Sequence, residues 1–145
     1  MSMPERIVEA IEALNGTLLH FIGSRQQATL RHLLQGEEGM HFAEILIGLK
    51  NRIDNMPKSY ETDGQGHSAI VHLHYFFGSF DAWITEKDAG DGSGDERQHQ
   101  AFGWVSFNGK SEAELGYASI EEFISSDVGI ELDLYWEPKP YKDVT

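Results

Sequence analysis

Apolar residues recur at three- and four-residue intervals through the first 56 residues and at two-residue intervals beyond residue 69. The first period is that of a helix with one buried face, the second that of a strand. Ile7, Ala10, Ile11 and Leu14 set a first helix, with Ser2 as its cap, Pro4 and Glu5 in its first turn, and Asn15-Gly16 as its stop. Ser24 is expected to cap a second helix with Leu30, Leu33 and Leu34 on its apolar side and Gly36 at its end. The third has the clearest stripe: Phe42, Ile45, Leu46, Leu49, Ile53 and Met56, with Glu44, Lys50, Arg52 and Asp54 left polar and Pro57 closing it.

A polar loop over 58–68 leads to strands. Residues 69–76 form the first by composition, Gly78-Ser79 turns the chain, and Ala82–Thr85 returns. An acidic glycine-bearing loop over 88–100 precedes Phe102–Phe107, an Asn108-Gly109 hairpin turn and Ala113–Ala118. Ser119 then caps a short helix, Ile120 to Ile124. The last strand, Ile130 to Trp136, is expected to point Ile130, Leu132, Leu134 and Trp136 one way and Glu131, Asp133, Tyr135 and Glu137 the other, with Pro138 and Pro140 ending the ordered part. Strands joined by short turns pair antiparallel, and three leading helices can cover one face of their sheet. The expectation is a single α+β domain over 1–145, with a helical part over 1–56 and an antiparallel sheet of about five strands over 69–136.

Charge changes this picture. The chain of 145 residues carries a formal −13. Residues 1–56 hold seven acids against five bases, whereas residues 57–145 hold seventeen against six. A field of that sign opposes direct binding to nucleic acid. No cysteine is present, which excludes disulfides, thiolate nucleophiles and cysteine-ligated metals. No apolar stretch approaches the roughly 20 residues that span a bilayer, and the acidic, amphipathic start does not resemble a signal peptide, so the expected compartment is the cytoplasm.

Several residues invite chemistry. His72 and His74, two apart on a strand, leave the same face and could share a metal ion with Glu86 or His99. Glu86/Asp88, Glu112/Glu114, Glu121/Glu122 and Glu131/Asp133 are pairs of a kind used in acid–base catalysis, although exposed pairs are ordinarily just solvated. Gly90–Gly94 is glycine-rich but lacks the Lys and helix of a phosphate cradle, and no motif asks for a cofactor. Phe76 and Phe77 cannot both face inward on a regular strand, which leaves one for a binding surface. Glu131, Asp133 and Glu137 on one strand face, flanked by Glu114, Glu121 and Glu122, could imitate a row of phosphates for a basic groove.

The run His74-Tyr75-Phe76-Phe77-Gly78-Ser79-Phe80-Asp81-Ala82-Trp83-Ile84-Thr85-Glu86-Lys87-Asp88, with Gln100–Gly103, Glu114–Tyr117, Ser119-Ile120, Glu131–Leu134 and Pro138-Lys139-Pro140, resembles a family of small uncharacterised proteins of plasmids, phages and integrative elements. Asn55–Gly64 extends the likeness, which covers roughly residues 51–141. The resemblance implies a mobile-element setting, and with it an accessory or anti-defence role; it implies no catalytic residues. Its shared Gly78, Gly103, Gly116, Trp83 and Leu132 read as turn, close-packing and core positions, while Thr85–Asp88 at a strand end is the stretch that packing explains least. The leading expectation is a non-enzymatic, acidic interaction module that binds a host or element protein, for example a basic nucleic-acid-binding one, through Glu86, Asp88, Glu131, Asp133 and Phe77. The alternatives are a small metal protein or enzyme using His72, His74 and Glu86, and a structural module whose exposed aromatics pair in a homodimer.

Overall fold

A computed structural model describes residues 3–145; Ser2, the expected cap of the first helix, lies outside them. The helices are α1 (Met3–Asn15), α2 (Ser24–Leu34) and α3 (Gly39–Asn55). α1 packs along α3 through Ala10, Ala13 and Leu14 on one side and Ala43, Leu46 and Ile47 on the other. Ser24 is the first residue of α2 and makes no side-chain cap; the capping position is Gly23. Buried Gln27 ties α2 to the preceding segment: its Nε2 donates to Leu14 O at 3.2 Å and to Leu18 O at 3.4 Å, the latter also accepting from Phe21 N and Ile22 N.

The strands are β1 (Ile70–Val71), β2 (Leu73–Phe77), β3 (Phe80–Glu86), β4 (Ala101–Ser106) and β5 (Glu114–Ala118). After the short helix α4 (Ile120–Ser125) come β6 (Glu131–Leu132) and β7 (Lys139–Pro140). Ser119 caps α4 as expected, accepting from Glu122 N at 3.1 Å. The main sheet has five antiparallel strands in the order β5-β4-β3-β2-β6; β1 and β7 form a second pair. The architecture is α+β, with the helices leading.

Alternation along the strands divides the side chains between two cores. Leu73, Tyr75, Ala82, Ile84, Ala101 and Leu132 meet Leu14, Leu18, Leu30 and Leu46 beneath the helices. Tyr75 is fully buried and its hydroxyl donates to Phe21 O at 2.5 Å; burial pushes this phenol well above its ordinary range. On the opposite face Val71, Trp83, Tyr141 and Val144 form a smaller core with Trp104 and Trp136. The Tyr141 and Trp104 rings stack at 4.2 Å.

Two expectations about the C-terminal part are corrected. The strand over 130–136 is regular only at Glu131-Leu132. Asp133 Oδ1 accepts from Tyr135 N at 3.0 Å, an Asx turn that bends the chain out of the ladder. Leu134 therefore packs on the helical core and Trp136 on the second core, although they were expected to face one way. The prolines do not end the packed chain either. Lys139-Pro140 pairs with β1, Tyr141 N donates to Ala69 O at 3.0 Å, and Tyr141 and Val144 are buried. An edge strand tolerates Pro because the missing N–H faces away from the ladder.

Candidate functional site

The Thr85–Asp88 stretch is a clasp. Thr85 Oγ1 donates to Phe102 O at 3.2 Å. Glu86, 4% exposed, accepts from Tyr60 N at 2.8 Å, from Thr62 N at 2.9 Å and from the Thr62 hydroxyl. Lys87 Nζ donates to Ile53 O at 2.7 Å, closing the end of α3, and desolvation lowers this ammonium below its ordinary range. Asp88 accepts from Gly90 N at 2.8 Å and Gln100 N at 3.1 Å, holding both ends of the acidic loop. Each side chain ties a different segment to the end of β3: β4, the 60–62 loop, the end of α3 and the acidic loop. A cleft of about 420 Å³ beside the clasp is lined by Lys58, Lys87 and Arg97 as well as Asp88, Asp95 and Glu96. Arg97 and His99 both sit on Asp95, which they hold well below the usual carboxylate range.

The three expected metal ligands are not brought together. Glu86 is enclosed by Tyr60 and Thr62, and His99 lies on Asp95 at 3.1 Å. His72 is half-buried, and desolvation, aided by the like charge of Arg52, lowers its imidazole below the ordinary range. His74 is hydrogen-bonded through Nδ1 to Asp133 Oδ2 at 3.0 Å and through Nε2 to Asp81 Oδ1 at 2.7 Å. Among the described residues no group of three or more His, Asp or Glu is arranged to hold a metal ion. The structure does not gather His72, His74 and Glu86 into one such group.

His74 is instead a hub of the outer sheet face. Its ring stacks near Trp83 at 5.8 Å, near Phe76 at 5.9 Å and against Trp136 at 5.1 Å. Asp133 is thereby committed inward from two directions, by His74 and by Tyr135 N. The carboxylates left for solvent lie elsewhere. Glu112, Glu114, Glu122, Asp127, Glu131 and Glu137 are exposed and, among the described residues, form no ion pair. Glu131 and Glu114 stand on the two edge strands, and Glu122 and Asp127 on and after α4.

Phe77 is 47% exposed and joins a second group of residues. Tyr75 lies two residues earlier on the same face and is sealed by the helices, which therefore stop short of the β2–β3 tip. There Phe77, Phe80, Phe107, Phe123, Val128 and Ile130 line an apolar groove of about 600 Å³, with Glu122 in its wall. Phe80 lies 5.3 Å from both the Phe107 and the Phe123 ring. Val128 was not among the residues singled out from sequence, and Phe107 was read only as one of many sheet aromatics and the end of a strand. A Phe beside the Asn108-Gly109 turn was the available signal, since a turn tip leaves an aromatic little to pack against. No helix among the described residues is long and apolar enough to cross a membrane. Compared with family models, with curated proteins and with solved structures, the chain matches none.

Proposed function

We propose that this chain is a non-enzymatic, acidic protein-interaction module whose partner is a basic, nucleic-acid-binding protein. One observation carries the reading. Residues 111–138 hold eight carboxylates and no Lys or Arg, and six of those groups are exposed and unpaired among the described residues: Glu114 and Glu131 on the edge strands, Glu122 and Asp127 on and after α4, and Glu112 and Glu137 in the connecting segments. Such a surface presents fixed negative charge that, apart from the nearby Arg52 guanidinium acting on Glu137, carries no cation of its own segment, and it favours encounter with a basic groove. Of the carboxylate pairs in the sequence, Glu86 and Asp88 hold loops and Asp133 holds a turn, while Glu112, Glu114, Glu122 and Glu131 face solvent. An accessory or anti-defence role in a mobile element, implied by the sequence resemblance, would use this surface to occupy a protein that otherwise grips DNA.

The test is competition. Labelled duplex DNA is bound to each of a panel of basic DNA-binding proteins, and the chain is titrated in at about 50 mM and about 200 mM salt. Displacement of DNA from at least one protein, weakened by salt and by Glu114→Lys, Glu131→Lys and Glu137→Lys together, is the expected result. Displacement by none, or displacement indifferent to salt and to the reversals, overturns the reading.

A further inference from the structure

The groove at the β2–β3 tip shows how such a partner would be held. Its rim residues Phe77, Phe107 and Val128 are 47%, 75% and 51% exposed, and they converge with buried Phe80 on one surface. Isolated exposed apolar residues need no explanation, but a contiguous group around a cleft favours a covering surface. Charge selects the occupant. The segments that build the groove, 73–86, 101–109 and 119–131, contain no Lys or Arg. Glu122 lines it, Asp127 sits between two lining residues, and Glu131 follows Ile130. Arg25 reaches Gly129 from α2, beyond Val128. A second copy of this chain would bring the same carboxylates against one another, each copy carrying −13.

We infer that this groove docks a basic segment of the partner protein, one that presents two or three apolar side chains between Lys or Arg residues. The apolar residues enter among the phenylalanines, and the flanking cations meet Glu122, Asp127 and Glu131. The inference rests on the acidic-module reading for the sign of the partner's charge and adds the apolar anchors, which that reading does not need.

The experiment measures fluorescence anisotropy with three labelled peptides: an amphipathic Leu/Lys peptide with Leu at helical spacing, an oligo-Lys peptide of the same charge, and a Leu/Gln peptide of the same pattern. The Leu/Lys peptide should bind the intact chain most tightly. Phe77→Ser and Phe107→Ser should each weaken it at least about tenfold, while Leu115→Ser, exposed on the outer sheet face, leaves it unchanged. Both Phe positions are exposed, so melting temperatures should stay near that of the parent, which separates lost binding from lost folding. Unchanged affinity in both Phe variants, with oligo-Lys binding as tightly as Leu/Lys, overturns the groove and leaves the acidic reading standing. Equal affinity for the Leu/Gln peptide overturns the basic occupant and that reading with it. Concentration-dependent self-association that disappears in Phe107→Ser would assign the groove to a second copy and overturn the proposal.

Discussion

His74 Nδ1 and Asp133 Oδ2 are 3.0 Å apart although 59 residues separate them in the chain. The contact joins β2 to the turn at which the chain leaves the main sheet for the second core. Asp81 of β3 holds the other ring nitrogen at 2.7 Å, so one imidazole ties three segments. These side chains are 14–28% exposed, too enclosed for full solvent screening. Charged hydrogen bonds in such a setting contribute about 1.5–3 kcal/mol. Asp133→Ala should destabilise by about 3 kcal/mol, because it also frees Tyr135 N, and His74→Ala by about 2 kcal/mol. Asp81→Ala, which loses one such bond, should destabilise by about 2 kcal/mol. Urea denaturation of the single variants and of the His74/Asp133 double variant checks this. Additive losses in the double variant would mean that the two residues do not act as a pair.

Glu86 makes a second prediction, local rather than global. Its two oxygens accept from Tyr60 N, Thr62 N and the Thr62 hydroxyl, and Tyr60 is held at φ 72°, a left-handed conformation unusual for a side chain of its size. Glu86→Gln keeps the shape but turns an NH2 group toward a donor. It should lower stability by about 1–3 kcal/mol. Amide hydrogen exchange at Tyr60 and Thr62 should quicken by about tenfold or more, with the amides of α1 little changed. Uniform quickening across the chain would show that Glu86 supports the whole fold and not this loop.

These two sites show what a sequence displays and what it hides. The helix α3 was legible because Leu46, Leu49 and Ile53 bury one stripe, a signal contained within a single element. The hairpin of β2 and β3 was legible from its Gly78 turn, where φ is 55°. Residues 130–136 alternate well enough to read as one strand, but the alternation is blind to a side chain that accepts its own backbone two residues on, as Asp133 does. His74 and Asp133 were each singled out, Asp81 was not, and no local pattern links them, because their meeting depends on strand register. The groove was half legible: the Phe76-Phe77 pair required one exposed ring, while the contribution of Phe107 and Val128 depends on where the helical layer ends.

Gly103 and Gly116 are neighbours in register on β4 and β5 and look equivalent in the sequence. A Cβ on Gly103 would stand 2.1 Å from Trp83 O, whereas one on Gly116 would meet nothing within 4 Å. Gly103 pairs with Ile84, next to the bulge between Ile84 and Glu86, and the β3 backbone at Trp83 and Ile84 lies against it. Gly103→Ala should therefore destabilise by about 3 kcal/mol, the upper range for overpacking. Gly116→Ala should be neutral or stabilise by up to about 1 kcal/mol, through the smaller entropy of its unfolded chain. Thermal melts of the two variants decide the matter; equal losses would contradict the difference in space.

His72 contributes a pH dependence to stability near neutrality. Desolvation is the first cause of its lowered imidazole pKa and the like charge of Arg52 the second. An imidazole lowered in the folded chain stays neutral there while the unfolded chain, with an ordinary value near 6.5, takes up a proton. The unfolded state then binds more protons, so stability is full above about pH 6.5 and falls as pH drops toward the folded value. One such group contributes a slope of at most about 1.4 kcal/mol per pH unit. Asp54, held low by Lys50, and Glu44, held low by Arg6, lose stability in the same direction but in the lower carboxylate range. Denaturant midpoints from about pH 5 to 8 should therefore rise with pH in the parent, more weakly in Arg52→Met, and least in His72→Gln. The largest loss of slope should be that of His72→Gln, since burial outweighs the guanidinium; an unchanged slope in that variant would place the titrating group elsewhere.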